Sequence, residues 1–112
     1  MLHRVQKDQR DLAALEVPGA TVRVSDPIRG AGDKLSAGFT EYAEASRFTW
    51  TFDYDEVFFM LEGHLEVQLE GQDPVRYEAG DLGYIEKGAR TTITVPERAY
   101  LLHVTHPAWR PE

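Results

Sequence analysis

Phe48-Thr49-Trp50-Thr51-Phe52-Asp53-Tyr54-Asp55-Glu56-Val57-Phe58-Phe59-Met60-Leu61-Glu62-Gly63 is the stretch that decides how this chain folds. Phe48, Trp50 and Phe52 recur at every second position, with Thr49, Thr51 and Asp53 between them. That period puts three aromatic rings on one face of a strand and three small polar groups on the other. Asp53 to Glu56 break the pattern as a polar corner. A second strand, Val57 to Leu61, is expected to end at Glu62-Gly63, where glycine permits the backbone of a tight turn. A carboxylate entering so apolar a strand is costly to bury unless it is hydrogen-bonded, paired or bound to a ligand. Glu56 therefore needs an explanation.

Downstream, His64–Glu70 alternates without a break: His64, Glu66, Gln68 and Glu70 face one way, and Leu65, Val67 and Leu69 the other. Turns at Gly71–Pro74 and Ala79–Asp81 separate strands at Val75–Glu78 and Leu82–Glu86, and Thr91–Val95 and Ala99–Thr105 follow. Upstream, Thr21–Ser25, Leu35–Ala43 and Arg47–Asp53 read as strands, with a loop from Asp26-Pro27 to Asp33. Residues 6–17 read as a short helix over Leu12 to Leu15 that Pro18-Gly19 stops. Nine or ten short strands between Gly, Pro and Asp turns indicate an all-β antiparallel sandwich or barrel. We expect one domain over 1–112, with an N-terminal arm, helical or extended, over about 1–20 and the barrel over about 21–106.

A chain of 112 residues with 42% hydrophobic and 28% charged residues can bury a real core. It has no cysteine, which excludes disulfides, thiolate metal sites and a cysteine nucleophile. Its formal charge of −7 argues against a nucleic-acid partner, since phosphate binding rests on Lys and Arg. No run of 18 apolar residues and no signal-peptide core occur, so no membrane partner and a cytoplasmic location are expected.

Two segments resemble the paired signatures of the cupin superfamily, small jelly-roll barrels that bind ligands inside. Glu56, followed by six residues and then Gly63, is similar to half of the first motif; Gly80-Asp81 through Gly88 is similar to the second. The resemblance spans roughly residues 35–105. A nearer resemblance is to the ethanolamine-utilisation Q family, carried by Ala37-Gly38-Phe39, Phe48 to Glu56, Leu61-Glu62-Gly63, Ala79-Gly80-Asp81 and the ending His106-Pro107-Ala108-Trp109. That resemblance implies a cupin barrel and a link to acetate kinase activity and bacterial microcompartments. Metal-binding cupins carry a His-x-His pair and a third His where this chain has Trp50, Phe52 and Thr91. Of the usual four ligands only Glu56 remains, and one carboxylate without imidazole cannot make a His-rich metal site. The proline of the second motif is Glu86. We therefore expect no metal and no cofactor.

Inside an apolar barrel Glu56 would act as general acid/base or ligand anchor, its pKa raised by burial; alternatively it accepts hydrogen bonds from a neighbouring strand. Trp50 and Phe52 either stack on a ligand or plug the space a metal would fill, and Thr91 stands with them. Tyr54 either positions a substrate or serves as an acid, or it ties its corner together. Glu41 and Tyr42 share a strand, so alternation sends one of them inward. Tyr84 is an aromatic for the wet end of the barrel. His103 and His106 differ by three and point to opposite faces, whereas His103 can meet Glu56 across the barrel. No Gly-x-x-x-x-Gly-Lys-Ser/Thr loop exists, and Lys87 to Arg90 is the one basic cluster near a motif. The expected function is to hold a small organic metabolite in an aromatic cavity, as a cofactor-free isomerase, lyase or cyclase. In it Glu56 moves a proton, assisted by Tyr54 or His103, while Trp50, Phe52, Glu41, Tyr84 and Thr91 contact substrate. The alternative is a non-catalytic binding or accessory protein. A homodimer is expected, because the edges of an open jelly roll need covering.

Overall fold

In the computed structural model, which describes residues 2–110, alternation at period two runs through nine strands. They are β1 (Ala13–Val17), β2 (Ala20–Arg29), β3 (Ser36–Tyr42), β4 (Ser46–Thr51), β5 (Asp55–Leu69), β6 (Val75–Glu78), β7 (Leu82–Ile85), β8 (Arg90–Val95) and β9 (Ala99–His106). Single 3-10 turns lie at Lys7–Gln9 and Ala31–Asp33. All pairings are antiparallel. One sheet runs β1-β2-β3-β9 to the first half of β5, which also carries β7; the second runs β4-β8 to the other half of β5, which carries β6. Two sheets joined through one long bent strand make an all-β jelly-roll barrel.

The bend corrects the sequence reading at Glu62-Gly63. The chain does not turn there; β5 continues to Leu69 through a bulge between Met60 and Glu62. Before it the inward residues are even-numbered (Phe58, Met60), and after it odd-numbered (Leu65, Val67). One extra residue in a strand exchanges its two faces, so the bulge lets a single strand serve the interiors of both sheets. Gly63 makes this possible: its φ is +74°, and a Cβ there would stand 2.2 Å from the Arg98 carbonyl oxygen.

The expected helix over 6–17 is also corrected. Ala13–Val17 is a strand paired with β2, from Ala13 opposite Val24 to Val17 opposite Ala20. Pro18-Gly19 is the hairpin turn between them, with Gly19 at φ +85°. Helix propensity at Ala13-Ala14-Leu15 loses to the period-two pair Leu15 and Val17, which pack against the core. The barrel therefore begins within what was expected to be the arm. Likewise β2 runs through Asp26-Pro27, where a loop was expected. A register shift between Ser25 and Ile28 leaves proline without a ladder bond to supply.

Phe48, Phe52, Phe58, Met60, Leu65, Val67, Ile93, Val95 and Leu101 form the core between the sheets. Burying each large side chain contributes about 1.5–3 kcal/mol. These side chains do not fill the space between the sheets completely, and the gap most of them line is the cavity described next.

Candidate functional site

The cavity opens between the sheets where inward-facing positions of β2, β3, β5 and β9 meet the corner after β4. Its wall is aliphatic and aromatic, with Val24, Tyr42, Phe48, Trp50, Phe52, Phe58, Leu101 and Trp109 among the lining residues. Its polar groups are those of Thr40, Tyr42, Tyr54, Glu56 and His103. About 70 Å³ is open to the centres of water molecules. One water needs roughly 10–15 Å³ by that measure, so the space holds several waters or one compact organic molecule.

Glu56 sits on the inward parity of β5, opposite Thr105 of β9 and Ile85 of β7. Among the described residues no side chain or backbone group hydrogen-bonds its carboxyl. Its accessible surface is partial and opens on the cavity it lines. Burial pushes the carboxyl up to about 7, against a downward pull from His103 and with a further upward push from Asp26. The strand-tying alternative would give it hydrogen-bond donors, and among the described residues it has none.

Tyr54 is buried beside it. The Trp50 indole N–H donates to the Tyr54 hydroxyl at 2.8 Å, and the Phe52 ring packs edge-on at 5.4 Å. Burial raises the phenol well above its ordinary range, and the Glu56 charge adds to this. Tyr54 therefore stays protonated and, as an acceptor from Trp50, keeps its own O–H free to donate among the described residues.

His103 also faces the cavity, two positions from Thr105 and so diagonal to Glu56. Both of its ring nitrogens are engaged: Nδ1 with the Thr40 hydroxyl at 2.8 Å and Nε2 with Asp26 Oδ1 at 2.8 Å. The direct carboxylate–imidazole hydrogen bond expected with Glu56 is therefore not formed. The influence of His103 on Glu56 is electrostatic, a downward pull on the carboxyl.

Asp26 is the residue that reading the sequence as a loop missed. Its side chain is 4% exposed and accepts from His103, from Trp109 Nε1 at 2.9 and 3.0 Å, and from Arg110 Nε at 3.1 Å. Burial pushes its pKa up, but the hydrogen bonds from His103 and Trp109 and the charges of His103 and Arg110 outweigh this and hold it below the usual value. A carboxylate so held is ionised near neutrality, which makes His103 Nε2 the donor. The signal for Asp26 was present: Val22, Val24 and Asp26 share one face of the strand.

Three expected contacts lie elsewhere. Glu41 points outward and pairs with Arg23, while its neighbour Tyr42 is the inward residue. Tyr84 lies on the outer face of β7, exposed, with its hydroxyl on Asp55. Thr91 is buried, but its hydroxyl donates to the Trp50 carbonyl at 2.7 Å and does not line the cavity. Trp50 and Phe52 do line it.

A His-rich metal centre does not fit these residues. The rings of Trp50 and Phe52 fill two of its positions, and the Thr91 hydroxyl is committed to backbone. Among the described residues no group of three or more His, Cys, Asp or Glu is arranged to hold a metal ion.

Comparison with known proteins places this geometry in a family. The family model described as ethanolamine utilisation protein EutQ matches residues 3–111. The chain is 35% identical over 75 residues to the acetate kinase EutQ of Clostridioides difficile strain 630, covering 67% of this chain and 46% of that protein. It thus spans less than half the length of that curated relative. The structure of ethanolamine utilization protein Q from Salmonella typhimurium LT2 superposes with a TM-score of 0.74 at 32% identity, covering 85% of this chain and 79% of the other. An RmlC-like cupin from Shewanella frigidimarina, 16% identical, shares the fold with a TM-score of 0.73 over 96% of this chain and 93% of its own. With its jelly-roll barrel and a family match from residue 3 to residue 111, the chain belongs to the ethanolamine utilisation protein EutQ family and has the cupin fold.

Proposed function

We propose that this EutQ-family cupin binds a small organic molecule in the barrel and moves a proton on it with Glu56. The observation that carries this reading is a carboxyl that lines an aromatic cavity and, among the described residues, has no hydrogen-bond partner. With burial holding it near 7, Glu56 is present in both forms at neutral pH, which suits a group that takes and returns a proton. As carboxylate it abstracts a proton from a carbon beside a carbonyl. The Tyr54 O–H donates a hydrogen bond to the carbonyl oxygen as negative charge collects there. The protonated Glu56 then returns the proton to a neighbouring atom, completing an isomerisation; loss of a leaving group or closure of a ring at that stage gives a lyase or a cyclase. His103, held by Thr40 and Asp26, lies beside Glu56 with both ring nitrogens engaged and does not touch the moving proton.

The kinase activity in the relatives' name fits this cavity less well. No Lys or Arg is among its lining residues, whereas a transferring phosphoryl group needs cations around it. The apolar wall equally suits a metabolite binder without turnover. Deuterium exchange distinguishes the two: candidate aldehydes, keto acids and ketoses are incubated with the protein in D2O and followed by NMR. Enzymatic exchange should fall about 10²–10⁴-fold in Glu56→Gln. Saturable binding with no exchange above background refutes the catalytic reading and leaves the binding one.

A further inference from the structure

Trp109 does not belong to any strand, yet it forms part of the cavity wall. The chain leaves β9 at His106, and the Ala108 N–H donates to the Asp33 carbonyl at 2.9 Å. Trp109 then lies across Trp50 and Tyr54, with ring centroids 6.1 and 6.4 Å away. Its indole N–H is shared between both oxygens of Asp26, and the Arg110 guanidinium covers its outer face at 4.6 Å. Asp26 is 83 residues distant in sequence and deeply buried. This anchor satisfies the buried Asp26 carboxylate and at the same time fixes where the Trp109 ring stands against the cavity. Here the ring is partly exposed on one side and faces the cavity on the other.

We infer that Trp109 is a specificity-determining residue that limits the size of the ligand, and that Asp26 is the positioning residue that holds its ring against the cavity. The inference rests on the barrel cavity being the ligand site, and it identifies the ligand class as one aromatic or carbonyl ring-sized molecule with a polar group for Glu56. A larger, two-ring molecule would have to displace the Trp109 ring.

Phenol and 2-naphthol test this: both are neutral, flat and carry one hydroxyl for Glu56, but they differ by a ring. Binding is followed through the two indole N–H signals of ¹⁵N-labelled protein, since Trp50 and Trp109, the only tryptophans, both face the cavity. The native protein should bind phenol more tightly than 2-naphthol. Trp109→Ala should raise 2-naphthol affinity relative to phenol at least about tenfold, the scale on which apolar pockets discriminate by size. Asp26→Asn should do the same with Trp109 still present. Trp109→Phe removes the indole N–H from Asp26 while leaving the His103 and Arg110 bonds to it in place, and should shift the ratio partway. An unchanged ratio in Trp109→Ala, or no phenol binding by the native protein, overturns the assignment of Trp109. An unchanged ratio in Trp109→Phe together with folded Asp26→Asn overturns the role of Asp26. Glu56→Gln should leave the size ratio as it is, so a failure of the proton-transfer reading shows itself separately, in the exchange experiment.

Discussion

Replacing Glu56 by Gln should stabilise the protein at pH 8 and leave its stability nearly unchanged at pH 4. The carboxyl is pushed from an ordinary value of 4.5 to about 7, mainly by burial. Between those values the unfolded chain has released the proton and the folded chain has kept it. Folding therefore loses stability as pH rises from about 4.5 to 7, and the full loss persists above 7. At about 1.4 kcal/mol per pH unit the shift corresponds to roughly 3 kcal/mol. Water in the cavity softens this, so about 1–3 kcal/mol is expected. Glutamine keeps the shape and cannot ionise, which removes the penalty only where the native residue is charged. For a domain near this size the gain at pH 8 corresponds to a Tm about 5–10 °C above the native protein. Urea and thermal melts of both proteins at pH 4, 6 and 8 measure it directly. A variant that melts at or below the native protein at pH 8 would show that Glu56 is paired in the folded state, and the cavity carboxyl argument would fail with it.

Gly63→Ala forces a Cβ to within 2.2 Å of the Arg98 carbonyl at a positive φ, so urea unfolding should show a loss of more than about 2 kcal/mol. Elemental analysis of protein purified without a His-tag should find no stoichiometric transition metal, because Trp50, Phe52 and Thr91 stand where the usual histidines would; stoichiometric zinc, iron, nickel or manganese would refute this. We expect a homodimer. On the outer face of β5 and β7, exposed Val57 and Phe59 lie opposite exposed Tyr84 and Leu82, an apolar strip that a second copy would cover. Light scattering should give twice the chain mass, and Leu82→Asp should shift it towards one chain; a native monomer at tens of micromolar would refute it.

Much of what repeats within a strand was legible before any neighbour was known. The rings at 48, 50 and 52, the apolar row 65 and 67, and the outward and inward histidines 106 and 103 all follow from side chains alternating across a pleated backbone. That Glu56 enters an apolar strand was legible in the same way, and an antiparallel sandwich or barrel followed from the number and spacing of the turns; the jelly roll came from the resemblance to cupins. Pairing between distant strands decided the rest. Whether Ala13-Ala14-Leu15 coils or extends depends on β2 being there to bond it, and whether Glu62-Gly63 turns or bulges depends on Arg98 and Ala99 beside it. The outward turn of Glu41 towards Arg23 and the capture of the Thr91 hydroxyl by a backbone carbonyl are likewise facts about neighbours. The site itself shows this most clearly. Asp26, His103 and Trp109 are separated by 77 and 83 residues, and only the closure of β2, β3 and β9 around one buried carboxylate brings them together. Local periodicity sets which way a side chain points; the partner it meets there is set by chain segments that no local pattern contains.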